Sequence, residues 1–437
     1  MQSRGVEVWR SREQAAEEKP FEIEKIMNLR RVFLFIFSFI FFAFALSGCG
    51  REKGVRLTFW QFWPSDVIEP IITEFERANP GIKVEMQQLT WQNGFEKIVA
   101  AVSSGTQPDL CELGSTWVPR FAADGVLGEV TSEVGALRDS LLFWESCTLD
   151  GKIYGIPWVA GTRALFYNKE LFQEAGLDPD SPPSTWEELI ECARRIHSPR
   201  NGVYGYGMNA GERYVLFKKF MPFAWGNGGR ILNQDLRRSE FASGENLDAL
   251  LFYCSLKKYS LVEKQDVLDM TFKQGKVGLE ISGGWNLKTI PADAPDLKFG
   301  VAVVPKPKAC CGVHASFAGS EILVTFAKSK RHKDALKLAR FLVEKQNMIA
   351  LCRSAKSVQP TFRGVENDPY YDSNPLERTF VVQLSTAIAP PPHPRWPEIE
   401  EVIESTVEEV VYGVKKPEEA LLEADRKISS IVSNAER

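Results

Sequence analysis

Four kinds of side chain in this sequence could bind a polar organic ligand, and none of them completes a catalytic set. Trp63, Trp158, Trp285 and Trp396 offer flat faces that suit the C–H surface of a saturated, hydroxyl-bearing ring. Glu112 can accept hydrogen bonds from hydroxyl groups, and Ser115, Thr116 and Thr162 can accept or donate them. Arg163 could present a planar fork of donors to ligand oxygens, or nearly as well close a salt bridge. In Ser282-Gly283-Gly284-Trp285 the glycines allow close backbone approach at a strand end and leave the ring exposed above it. Plainer roles compete: Trp63 could pack beneath its loop, Ser115 or Thr116 could cap the next helix, and Trp396 could pack on Pro390-Pro391-Pro392. Trp60, inside a strand, reads as core.

The exclusions are as informative. No G-x-S-x-G, H-E-x-x-H or phosphate-loop pattern occurs, and the carboxylates form no recognisable acid/nucleophile motif. Cys310-Cys311 with His314 lacks metal-ligand spacing, so neither a metal nor another cofactor is expected. Net charge is -4, which argues against a nucleic-acid partner. Of 8 cysteines, those beyond Cys49 are scattered without a C-x-x-C pair and read as small buried hydrophobes.

The N-terminus reads as an export signal. Arg30 and Arg31 precede an unbroken apolar run from Val32 to Leu46, shorter than the roughly twenty residues of a membrane span. Leu46-Ser47-Gly48-Cys49 follows and resembles the bacterial lipobox, so cleavage would leave an acylated Cys49. Residues 1–26 are mixed in charge and unlike a signal, which favours translation from Met27 and a signal peptide over 27–48.

The elements that must position these side chains alternate. Val55 to Trp60 predicts a strand, and Val67, Ile68, Ile71, Ile72 and Phe75 fall at helical spacing up to Asn79-Pro80-Gly81. Ile82, Val84 and Met86 predict a second strand; Phe95, Ile98, Val99 and Val102 a second helix; Pro108 to Glu112 a third strand. Later, Thr185-Trp186-Glu187-Glu188 has capping-box form, 277–281 and 299–304 predict strands, and Ala335, Leu338 and Leu342 mark an amphipathic helix. Such alternation is the grammar of an α/β protein with mostly parallel sheets.

Several segments together resemble the extracellular solute-binding proteins of carbohydrate ABC importers, of the maltose-binding and glycerol-phosphate-binding types. They are Ser104-Gly105-Thr106-Gln107-Pro108-Asp109-Leu110, Gly151 to Trp158, Leu165 to Phe172, Phe272 to Val277, Ile281 to Trp285 and Phe317-Ala318-Gly319-Ser320-Glu321. The resemblance implies a two-lobed periplasmic-binding-protein fold of type II, with mixed, mostly parallel sheets and a hinge cleft. It implies a first lobe over 49–160 and 305–346, a second over 161–304 and 347–437, and crossings near Trp158 to Phe166 and Gly300 to Pro305.

By the same resemblance Trp63, Glu112, Ser115, Thr116 and Trp117 lie on ligand-facing loops. Trp158, Thr162 and Arg163 would line the cleft, Trp285 and Trp396 would stack on the ligand, and a turn at Gly319 would offer backbone N–H groups. The implied partners are a sugar ligand, the transmembrane permease subunits of an ABC importer, and the membrane through the lipid anchor. The chain would act as an exported monomer, without catalysis. Acidic Glu400-Glu401 stands where the glycerol-phosphate type carries an arginine, which weakens that alternative. The competing classes are a lipid-anchored glycoside hydrolase and a surface adhesin.

Overall fold

The computed structural model describes residues 54–433. The expectations for residues 1–26, for the signal at 27–48 and for Cys49 lie outside the described residues. Two main sheets hold most of the strands, beside two short two-stranded ribbons. The first holds β1 (Val55–Gln61), β2 (Ile82–Gln88), β3 (Leu110–Gly114) and β4 (Ile156–Gly161), and later β10 (Gly319–Thr325) and β11 (Gln359–Pro360). Its order is β11-β4-β10-β3-β1-β2. The second holds β5 (Arg163–Asn168), β6 (Tyr204–Met208), β7 (Ser260–Val262), β8 (Val277–Gly283) and β9 (Phe299–Ala302), in the order β9-β5-β8-β6-β7. Both sheets are mixed: β1 runs parallel to β3 and β6 parallel to β7 and β8, whereas β10 is antiparallel to β3 and β4, and β5 to β8 and β9. The antiparallel strands include the two, β5 and β10, with which the chain enters a sheet from the other lobe.

Local patterning explains most elements. Strand alternation buries Leu57, Phe59 and Gln61 in β1 and places Trp60 on the opposite face, half-buried, so Phe59 is the core ring that Trp60 was expected to be. Helix α1 (Ser65–Ala78) buries Val67, Ile68, Ile71, Ile72 and Phe75, the stripe legible in sequence. Helix α2 (Gly94–Ser104) buries Ile98 and Ala101 but leaves Val99 exposed, and Gly105 closes it in the left-handed conformation at φ 71°. Helix α3 (Val118–Ala123) follows β3. In the second lobe every residue of β8 is buried, because the sheet is covered on both faces. Leu165 and Tyr167 of β5 join one apolar cluster; Ala164 and Phe166 join the other.

Helix α4 (Trp186–Ile196) carries the capping box reciprocally: Glu188 N donates to Thr185 Oγ1 at 3.3 Å, and Thr185 N to Glu188 Oε2 at 3.1 Å. Thr185→Ala is expected to cost about 1 kcal/mol of stability, read as a lower urea midpoint with unchanged slope.

The chain passes from the first sheet to the second at Thr162 alone, between Gly161 and Arg163. Pro157 lies inside β4, at a register shift that sets Glu321 opposite Val159 and Ile322 opposite Pro157. The return differs from the expected position near Gly300 to Pro305. Val304, Ala315 and Phe317 still pack in the second-lobe core, and the first sheet resumes only at Gly319. The boundary expected at 346 also moves. Helix α8 (His332–Leu342) is followed by α9 (Lys345–Ala355), which packs on α1, and β11 pairs with β4, so the first lobe extends through Pro360. The chain then re-enters the second lobe, where α10 (Pro375–Leu384) packs on β5 and β9 and where α11 (Trp396–Val411) and α12 (Pro417–Ser433) complete the core.

Candidate functional site

The two crossings lie side by side. Thr162 Oγ1 donates to Phe317 O at 2.7 Å, Ser316 Oγ donates to Arg163 O at 2.7 Å, and Gly161 pairs with Gly319. Thr162 and Gly319, expected to face ligand, are committed to this hinge. The threonine hydroxyl bridges the crossings, and Gly319 begins a strand rather than forming a turn.

Arg163 stands at the start of β5, directly after this junction. One guanidinium nitrogen donates to Thr162 O at 3.1 Å, while Nε is buried without a protein acceptor. The guanidinium carbon lies 4.9 Å from the Trp285 ring centroid and 5.7 Å from that of Phe317. Burial pulls its pKa down to about 10, partly opposed by the charge of Asp269, so it remains a cation at neutral pH. It forms no ion pair among those found for the described residues, so the salt-bridge alternative is not the arrangement seen.

Trp285 follows β8 and is half-buried. Its ring lies against Gly283, where a Cβ would come within 1.9 Å of it. Gly284, expected at the ligand, instead meets the first lobe: a Cβ there would stand 2.9 Å from Ser357 O. The indole N–H donates to Asp269 Oδ2 at 2.7 Å. Asp269 lies on helix α6 (Gln265–Lys273), and its Oδ1 accepts from Gln265 at 2.7 Å, Ser282 at 2.9 Å and Asn286 at 3.0 Å. This network holds the ring in one orientation. Sequence reasoning missed Asp269; Asp-x-x-Phe within a helix carries no local signal for it.

A second cation, Lys218 on helix α5 (Leu216–Gly226), lies 5.3 Å from the Phe317 centroid. Burial lowers its pKa, and the charge of Arg163 lowers it further, with Glu400 opposing. Glu400 in turn accepts from Trp396 Nε1 at 3.0 Å. Trp396 itself is fully buried and packs edge-on against Phe217 with centroids 5.1 Å apart, so it is a core ring that orients Glu400 and not a stacking platform.

On the first lobe Trp63 is 8% exposed, stands edge-on to Trp158, and keeps a buried indole N–H without a protein partner. Trp158 is fully buried and donates to Leu342 O at 3.2 Å, which makes it core. Ser115 N donates to Ser320 O at 2.8 Å, and Thr116 is half-buried; α3 begins without a side-chain cap, so neither hydroxyl caps it. Glu112 is fully buried, accepts from Phe62 N at 2.9 Å and shares a charge interaction with Glu321 on the neighbouring strand. Three rings sit at the carboxyl ends of successive strands: Phe62, Trp91 and Trp117. Trp91 stacks on Phe62 at 4.1 Å with 47% of its surface exposed. Trp91 was overlooked because it lies in a turn between predicted elements.

Burial pushes the Glu112 carboxyl up to about 7, and Glu321 is raised by burial and by the charge of Glu112. A carboxyl whose pKa rises on folding stabilises the fold fully below its unfolded value near 4.5 and loses that contribution as pH climbs through the folded value. The melting temperature should therefore fall between about pH 5 and pH 8. Glu321→Gln should flatten that fall relative to the parent in calorimetry across the same range.

The geometry accords with what the chain resembles. Residues 64–349 match the family model described as bacterial extracellular solute-binding protein. A binding protein of Brucella abortus is 28% identical over 403 residues, 89% of this chain and 95% of its own. An ABC transporter solute-binding protein from Thermotoga lettingae, solved with alpha-D-tagatose, superposes with a TM-score of 0.76 at 31% identity over 86% of this chain and 100% of its own. The cyclic alpha-maltosyl-1,6-maltose binding protein of Arthrobacter globiformis gives 0.77 at 26% identity over 87% of this chain and 99% of its own. These neighbours share the two-lobed type II periplasmic-binding-protein fold.

Proposed function

We propose that this chain, which belongs to the bacterial extracellular solute-binding protein family, captures a sugar between its lobes and hands it unchanged to the permease of an ABC importer. The observation that carries this reading is Arg163. A half-buried guanidinium whose buried Nε–H has no acceptor among the described residues, set near two aromatic rings at the interlobe junction, is suited to bind an oxygen-rich ligand. Half-buried Trp285 beside it supplies an apolar face of the kind sugars stack on. The sugars bound by the tagatose-liganded and cyclic alpha-maltosyl-1,6-maltose-binding neighbours support a saccharide.

The mechanism is capture by hinge closure. Thr162 and the strand around Gly319 form narrow paired crossings about which the lobes can rotate. A ligand touching both lobes favours the closed form by its differential affinity. Among the described residues no helix is long and apolar enough to cross a membrane, so retention would depend on an acylated Cys49.

Titration calorimetry with a panel of mono-, di- and oligosaccharides and glycerol phosphate tests the reading. A neutral sugar bound at micromolar affinity or tighter and recovered intact is expected; binding of glycerol phosphate alone, or hydrolysis of the sugar, overturns it. Cys49→Ser should release the protein from the membrane fraction without unfolding it. Variant retained after a high-salt wash would remove the anchor from the proposal.

A further inference from the structure

Seven cysteines fall within the described residues, and two of them differ from the rest. Cys111, Cys147, Cys192 and Cys352 are buried and Cys254 is half-buried, each with its thiol pKa raised, primarily by desolvation. Such thiols are inert packing groups. Cys310 and Cys311 are exposed, adjacent in sequence, and have their sulfurs 3.1 Å apart. They sit in a tight turn on the return segment, where Cys311 N donates to Lys308 O at 3.3 Å and Gly312 follows with φ 80°. Lys306 Nζ donates to Ala309 O at 3.0 Å beside them; contact with the Cys310 thiol and desolvation raise the Cys311 thiol, and the charges of Lys308 and Lys306 oppose that rise. Two residues on, Val313 N donates to Gly226 O, tying the turn to the end of α5, the helix that bears Lys218.

We propose that Cys310 and Cys311 form a reversible redox site, a vicinal dithiol that closes to an intrachain disulfide by exchange with an external small-molecule disulfide. One thiolate attacks the external disulfide, giving a mixed disulfide and releasing one small thiolate. The neighbouring thiolate then attacks the protein-bound sulfur, closes the ring and expels the second. The protein loses two electrons and two protons, and the external disulfide is reduced to two thiols. Adjacent Cα atoms stand about 3.8 Å apart, below the roughly 4.4–6.8 Å that unstrained disulfides span. The ring is therefore strained, and strained, exposed disulfides are the readily reduced ones. This makes the site switchable rather than a permanent staple.

The test uses the intact folded protein, fully reduced and then incubated with oxidised glutathione, with iodoacetamide added before and after dithiothreitol. Trypsin yields a fragment from Ala309 to Lys328 that contains only these two cysteines. The expected result is a fragment lighter by two hydrogen atoms, carrying neither glutathione nor alkyl groups, that takes up two alkyl groups after reduction. In Cys310→Ser, which has no neighbouring thiol, a stable glutathione adduct on Cys311 should accumulate instead. Two retained glutathiones on the parent fragment, a disulfide-linked dimer, or two thiols still free after the incubation would each overturn the proposal.

Discussion

Trp285→Ala is expected to weaken sugar binding about thirty- to a thousandfold while leaving the protein folded. Truncation removes the ring's apolar contact and stacking together, worth about 2–4 kcal/mol, and each 1.4 kcal/mol is about a factor of ten in affinity. The fold should survive for two reasons. The ring is only half-buried, so its loss leaves no sealed cavity, and Asp269 retains its bonds to Gln265, Ser282 and Asn286 when the indole N–H is gone. Trp285→Phe separates the two contributions, since it keeps a ring face but loses the donor that orients it; an intermediate affinity is expected. Calorimetric affinity and melting temperature should be measured on the same samples, with the tightest sugar of the panel. Unchanged affinity with a large fall in melting temperature would sink the assignment of Trp285 to the site.

Arg163→Met is expected to move affinity and stability in different directions. Hydrogen bonds to a charged group contribute about 1.5–3 kcal/mol, so binding should fall about ten- to a hundredfold. Stability should hold or rise, because methionine replaces a desolvated cation that, among the described residues, has no ion-pair partner and leaves its Nε–H unused. Arg163→Lys should not restore affinity, since an ammonium cannot reproduce the planar fork. A marked drop in melting temperature for Arg163→Met, with affinity intact, would mean that the guanidinium holds the lobes together rather than the ligand.

The candidate site was partly legible in sequence. Trp285 and Arg163, proposed here to meet the ligand, each carry a local marker, a glycine pair at a strand end and a place within the predicted crossing. The rings that failed as ligand contacts, Trp158 and Trp396, have equally suggestive neighbours in sequence. What buries them comes from elsewhere: Leu342 accepts from Trp158, and Phe217 meets Trp396 edge-on. Lys218 carries no motif, and Phe317 and Glu321 bound a matching segment that gives no hint of their partners; the fold alone sets them near Lys218, Arg163 and Glu112.

Sequence by itself determined the properties that depend on near neighbours in the chain. Helical stripes such as Val67 to Phe75, strand alternation in β1 and the Thr185–Glu188 cap follow from periods of two to four residues, so one segment suffices to encode them. Tertiary structure alone decided where the lobes divide and which polar groups are left unpaired. The return crossing lies at Ala318 and not near Gly300 because Val304, Ala315 and Phe317 find their packing in the second-lobe core. The Glu112–Glu321 pair and the Arg163–Ser316 bond join residues more than 150 positions apart, as the strand register brings them together. Whether a buried polar atom has a partner depends on such distant groups, and no local pattern can report it.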